Sequence, residues 1–238
     1  MQLAREAVRL IREEGLSPES ILMLAGSARN RQRLRDFLEA EGERAGLPYP
    51  PVPVLMLDEY FGQLLRLFAD RISLTDGDGR PAGRLSHDFR VLGDLEATVL
   101  LRQVLQAEIP PDHRWYYPAR SLAFARALFQ VFRSDEGLTD TPDLKRFHDA
   151  FITRTRLKSL LTMPDLARLA GTLVAESPGC TAHVRAVLLD EAQELADVHY
   201  RFLDTLAPDA PVVRGPAWVR TSRPAWTWSA GGTGGARG

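Results

Sequence analysis

The residues best suited to chemistry lie in the run Val-Leu-Leu-Asp-Glu-Ala-Gln-Glu-Leu, residues 187–195. The apolar stretch Ala186, Val187, Leu188 and Leu189 predicts a short strand buried on both faces, with Asp190 and Glu191 just past its C-terminal end. In open α/β sheets ligands bind at that edge. There an Asp can hold Mg²⁺, and the next Glu can orient and deprotonate a water that attacks a phosphate. Alternate strand positions face opposite sides, so a turn directly after the strand is needed to aim both carboxylates at one group. Two acids opening a helix also complement its dipole, with no catalytic role. Gln193, two residues on, adds weight to the chemical reading.

The elements that must carry this run alternate. Leu3, Ala7, Leu10 and Ile11 share a helical face that Gly15 ends. Ile21 to Ala25 is a buried strand, Gly26-Ser27 a turn, and residues 30–41 a helix with Leu34, Phe37 and Leu38 inward. A proline-rich link precedes a second strand, Val54 to Leu57, and a helix from Glu59 to Asp70. The pattern predicts a parallel sheet covered by helices. Residues 75–84 read as a surface loop. Residues 94–107, 119–133 and 143–176 have helical spacing with no strand, so the middle is expected to be a helical insertion into an α/β domain. No internal repeat is present.

Composition narrows the classes. The 238 residues are 45% hydrophobic and 26% charged, ordinary for a globular chain. With 30 Lys plus Arg against 31 Asp plus Glu the net charge is −1, which excludes a histone-like nucleic-acid binder but not a local basic groove. One cysteine, Cys180, excludes a disulfide framework and a cysteine-rich zinc site, and the five histidines lack ligand spacing. No apolar run reaches the ~20 residues that span a bilayer, and the start is too charged for a signal-peptide core. A soluble, cytoplasmic protein is expected.

VLLDEAQEL resembles motif II, the DE-x-Q-D box, of superfamily 1 helicases of the UvrD/Rep/PcrA kind. IREEGLSPESILMLAGSARNRQRLRDFL, residues 11–38, is similar to the segment that ends in their motif Ia. VLMLDEYFGQLLRLF, residues 54–68, resembles the block that follows, and FRVLGDLEATVLLRQVL, residues 89–105, the opening of their helical insertion. The ordered likeness runs over about residues 3–212. It implies an incomplete RecA-like P-loop NTPase sheet with an all-helical insertion domain. Residues 1–72 would begin the motor domain, 73–183 form the insertion, 184–212 return to the motor, and 213–238 make an irregular tail.

The implied function is that of a fragment of an ATP-dependent DNA helicase, which couples ATP hydrolysis to movement on DNA and its unwinding in repair or recombination. ATP and Mg²⁺ are the implied cofactors and DNA, mainly single-stranded, the implied partner. By the resemblance Asp190 takes the Mg²⁺ role, Glu191 the general-base role, and Gln193 contacts the γ-phosphate or its water. Ser27 and Arg29 would lie along the DNA, with Asp58 and Tyr60 in a second DNA-facing block.

The sequence also departs from the family. The phosphate-binding loop G-x-x-x-x-G-K-[ST] is absent; by the resemblance it would precede Met1, so this chain alone is expected not to hydrolyse ATP. Gly26 stands where the family offers an aromatic residue to a base. After Val213 the chain carries no Asp, Glu or Lys and holds Trp218, Trp226 and Trp228, where the family has motif III. A shifted reading frame near Val213 is expected. Two rival readings remain open: a non-catalytic helicase-like module that binds DNA or protein, and an unrelated nucleotide-binding α/β domain. Arg29, Arg31, Arg33 and Arg35 read equally well as phosphate contacts or as a solvated helix face. HRWYYPAR, residues 113–120, reads as a stacking platform or as a helix junction with Trp115 in a small core, the second reading favoured.

Overall fold

A computed structural model describes residues 2–47, 52–76, 78–134, 141–191, 197–206, 212–214 and 218–219. In chain order the elements are α1 (Gln2–Glu13), β1 (Ile21–Ala25), α2 (Ala28–Ala45), β2 (Val54–Met56), α3 (Leu57–Leu67), β3 (Ser73–Thr75), β4 (Pro81–Arg84), β5 (Arg90–Val91), α4 (Asp94–Glu108), α5 (Leu122–Ser134), α6 (Pro142–Arg156), β6 (Leu160–Leu161), α7 (Met163–Glu176), β7 (Ala186–Leu189), α8 (Asp197–Leu206), β8 (Val212–Arg214) and β9 (Trp218–Val219). The chain is of the α/β class. It forms two compact units, one of residues 1–61 with 170–238 and one of residues 62–169. Their borders fall inside α3 and α7, rather than at 72/73 and 183/184.

The first unit is built on a sheet of order β2-β1-β7-β8-β9. β1 runs parallel to β2 and β7, β7 is parallel to β8, and β9 returns antiparallel. Every residue of β1 and β7 is buried, as a central parallel strand requires. Ile21, Met23, Ala25, Ala186 and Leu188 share one face and pack with Leu3, Ala7 and Leu10 of α1 and Leu34 and Leu38 of α2. Leu22, Leu24, Val187 and Leu189 point to the other face and are equally buried. Ser27 starts α2, its hydroxyl accepting the Asn30 N–H at 3.2 Å, and Gly46 ends it in the left-handed region at φ 70°.

Two expectations for this unit are corrected. Leu57 opens α3 rather than closing β2, because the Glu59 carboxylate caps the helix by accepting the Met56 N–H at 3.0 Å. The tail after Val213 is not wholly irregular: Val213 and Arg214 belong to β8 and pair with β7, and Trp218 and Val219 form β9. β7 has donors and acceptors along both edges, and a strand of any composition that reaches its open side satisfies them.

The second unit is mainly helical but not all-helical, which corrects the expectation for the middle of the chain. β3 and β4 make an antiparallel hairpin, and β5 pairs parallel with β6. The loop read between them is the hairpin's turn: Asp76 Oδ1 accepts the N–H groups of Asp78 and Arg80 at 3.0 and 2.8 Å. The stretch 143–176 is two helices. Asp165 breaks it by accepting from the N–H and hydroxyl of Thr162 at 2.9 and 2.7 Å, so that its carboxylate reaches back to the residue just before α7. Arg156 bonds the same carboxylate at 2.9 Å, and both side chains of that pair are buried. The core joins α4, α5 and α6 around Leu101, Leu105, Phe129, Phe147 and Phe151, with Trp115 packed against it.

Leu188 is fully buried in β7 between two parallel partners. Leu188→Ala is expected to cost about 3 kcal/mol, a fall of roughly 6–12 °C in Tm, read by thermal denaturation.

Candidate functional site

The carboxyl ends of β1 and β7 meet where the sheet reverses its winding. From β1 the chain crosses by α2 to β2 on one side; from β7 it crosses by α8 to β8 on the other. Right-handed crossovers in opposite directions place α2 and α8 on opposite faces. The loops leaving β1 and β7 therefore diverge, and the gap between them is a topological switch point, the place where such sheets bind ligands.

Asp190 and Glu191 stand on that rim. The Asp190 N–H donates to the Leu24 carbonyl at 2.9 Å, so its backbone still follows the sheet. Glu191 then turns out of it at φ 54°, a left-handed conformation unusual for a residue with a Cβ. A turn of this kind costs of order 1–3 kcal/mol and is held by the surrounding fold. Both acids are half-buried. Burial, and after it the neighbouring Glu191 charge, pushes the Asp190 carboxyl above its ordinary value; Arg33 offsets part of this. Gln193 lies outside the described residues.

The other predicted residues are placed as follows. Ser27 is the cap of α2, and Arg29 is exposed in that helix's first turn. Asp58 is half-buried in the first turn of α3, at the end of β2. Tyr60 does not face a solvent groove. Its ring is 8% exposed and packs edge-on against Phe202 of α8 at 6.1 Å, so its assignment to a DNA-facing surface is corrected. Asp58 and Tyr60 are two positions apart on a helix, about 200° around it, and cannot share a face. The Tyr60 hydroxyl is buried without a hydrogen-bond partner; burial, then the nearby Cys180 thiol, drives its pKa strongly upward.

The four arginines of α2 do not act as a set. Arg31 pairs with Glu59, and Arg35 donates to the Val54 carbonyl at 3.2 Å. Arg29 and Arg33 are exposed. Arg31, and then the Met56 N–H, holds the Glu59 carboxyl well below its ordinary value. Glu59 therefore locks α3 to α2, a role sequence reasoning missed although the spacing of Met56 and Glu59 is that of a capping box. His199 of α8 was also missed. It stacks on Phe61 at 6.0 Å; burial lowers its pKa, and Asp58 counters in part. No spacing rule links His199 to Asp58, because they come together only through the sheet.

Among the described residues no group of three or more His, Cys, Asp or Glu side chains could hold a metal ion by itself. Mg²⁺ sites commonly use one or two carboxylates together with phosphate oxygens and water, so a single rim carboxylate is not excluded by this. No helix of the described residues is long and apolar enough to cross a membrane. Neither a family model nor a curated protein matches this chain.

Asp190 and Glu59 respond oppositely to pH. Asp190 has a raised folded-state pKa, so its favourable contribution is complete only below its ordinary 3.8 and is lost as pH rises through the raised value. Asp190→Asn is expected to stabilise at pH 7 by a few tenths to ~1 kcal/mol after solvent screening, the gain vanishing toward pH 3. Glu59 has a lowered pKa, so its contribution is present above 4.5 and lost as pH falls. Glu59→Gln is expected to destabilise at pH 7 by about 1–2 kcal/mol, the loss shrinking in acid. Denaturant titrations at pH 3 and pH 7 read both signs.

Tyr60→Phe removes an unpaired buried hydroxyl. Its stability is expected to be unchanged or up by about 1 kcal/mol in the same titration.

Proposed function

We propose that this chain is the N-terminal part of a UvrD-like, ATP-dependent DNA helicase. The observation that supports the reading most is the half-buried Asp190–Glu191 pair at the β1/β7 switch point, where burial holds the Asp190 carboxyl above its ordinary value and a left-handed Glu191 turns the chain out of the sheet. Functional sites are where burial and like charges are set against each other in this way. A surface pair serving only a helix dipole would have neither the burial nor the strained turn.

In this reading Mg²⁺ and ATP, when bound, supply the phosphoanhydride whose hydrolysis drives movement. Asp190 would hold the cation. Glu191 would orient the attacking water and take its proton. Gln193 would contact the terminal phosphate, and Ser27, Arg29 and Asp58 would border the path of single-stranded DNA. Arg31 and Glu59 would keep the starts of α2 and α3 in register on that rim. The sequence holds no phosphate-binding loop, so a complete cycle needs groups that these 238 residues do not supply.

Two measurements test the proposal. Mn²⁺ with ADP is expected to broaden the amide resonances of Asp190 and Glu191, and Asp190→Asn to abolish the effect. Broadening centred elsewhere, or none, rejects the assignment. The chain alone is expected to show no DNA-stimulated ATP hydrolysis. A rate above background that disappears in Glu191→Gln would show that these residues suffice.

A further inference from the structure

The turn 113–120 and the helix after it carry a feature that the switch-point site does not use. Between Asp112 and Asp135 there is no acidic residue, while Arg114, Arg120, Arg126 and Arg133 all fall there. The structure divides the aromatics of this stretch. Trp115 and Tyr116 are half-buried against the core of the second unit, and Trp115 meets Phe124 and Phe147 at 5.7 and 5.8 Å. Tyr117 is 80% exposed.

Tyr117 is nonetheless held in place. Its ring stands edge-on to Tyr116 at 5.3 Å and 81°. Arg120 lies over the Tyr116 ring at 3.9 Å and donates to its hydroxyl at 2.8 Å, and Arg114 lies over Trp115 at 5.1 Å. The rings thus fix two cations beside an outward aromatic face. Arg126 is exposed on α5, and Arg133 follows seven residues later on the same helical face. Asp94 binds Arg133 at 2.6 Å, and Asp143 approaches Arg114 at 3.7 Å, so Arg120 and Arg126 make up most of the uncompensated charge.

We propose that this strip is a binding surface for single-stranded nucleic acid, with Tyr117 stacking a base and Arg114, Arg120 and Arg126 neutralising phosphates. An acidic protein segment would use the cations but gain little from an outward Tyr ring. A duplex keeps its bases stacked and offers no free face to Tyr117. The surface lies wholly in the second unit and does not depend on the Asp190–Glu191 reading.

The test is fluorescence anisotropy of the full chain with a fluorescein-labelled oligothymidylate, and 2-aminopurine fluorescence to report stacking. Tyr117→Ala is expected to weaken binding about tenfold and to remove the 2-aminopurine quench, whereas Tyr117→Phe keeps both. Arg126→Gln is expected to lower the slope of log affinity against log salt by about 0.7, the value for one phosphate contact on a single strand. Arg12→Gln, an exposed cation on α1 of the first unit, is expected to leave all three readouts unchanged, which separates loss at this surface from a general loss of positive charge. Tyr117 and Arg126 are exposed, so these variants are expected to fold; equal circular dichroism melts check it. Three results would overturn the proposal: no binding, binding indifferent to Tyr117→Ala, or displacement of the oligonucleotide by polyglutamate of equal charge. An oligouridylate arm shows whether DNA or RNA is preferred.

Discussion

The pairing of β1 with β7 is the contact on which the first unit rests. The two strands are far apart in the chain, with the whole second unit between them in sequence. Closing so long a loop costs more entropy than a hairpin, although the cost grows only slowly with length. Two fully apolar strands offset it: each buries both faces and shares a ladder running from the Arg185 N–H on Ser20 to the Asp190 N–H on Leu24. The last of those bonds is also the one that seats the acid pair. Stability and site geometry therefore meet at one backbone group, and a sheet that slipped by a residue would send Asp190 to the other face.

The rim holds carboxylates in two contrasting states. Glu59 is satisfied on all sides, by a guanidinium and by a backbone N–H, and its low pKa marks it as structural. Asp190 is pushed the other way by burial and by a like charge one residue on. A protein that tolerates the second arrangement gives up stability at that point, and the left-handed Glu191 adds to the cost. This contrast is the physical ground for looking to the 190–191 pair, and not to the acids of α3, for chemistry.

The second unit is organised by caps and by aromatic packing. Asp76 and Asp165 each satisfy two donors at a turn, and each marks a place where sequence periodicity misleads. The strands of this unit are two to four residues long, too short for an alternation of apolar and polar residues to register. Leu92 and Leu161 are buried core residues whichever element holds them, so their hydrophobicity said nothing about strand or helix. The Thr162-to-Asp165 spacing was the available signal for the break between α6 and α7.

The amino-acid sequence alone determined the α/β class, the buried strands β1 and β7, the helices α1, α2, α4 and α5 to within a few residues, and the place of Asp190 and Glu191 just past a strand. These follow from local period and from short-range chemistry, which need no partner to be read. Tertiary structure decided the rest. It brought β1 beside β7, buried Tyr60 while leaving Tyr117 exposed, joined Arg31 to Glu59 and set His199 near Asp58. Such outcomes depend on which faces meet across the sheet and on desolvation by distant residues, and neither is encoded within the few positions around any one of these side chains.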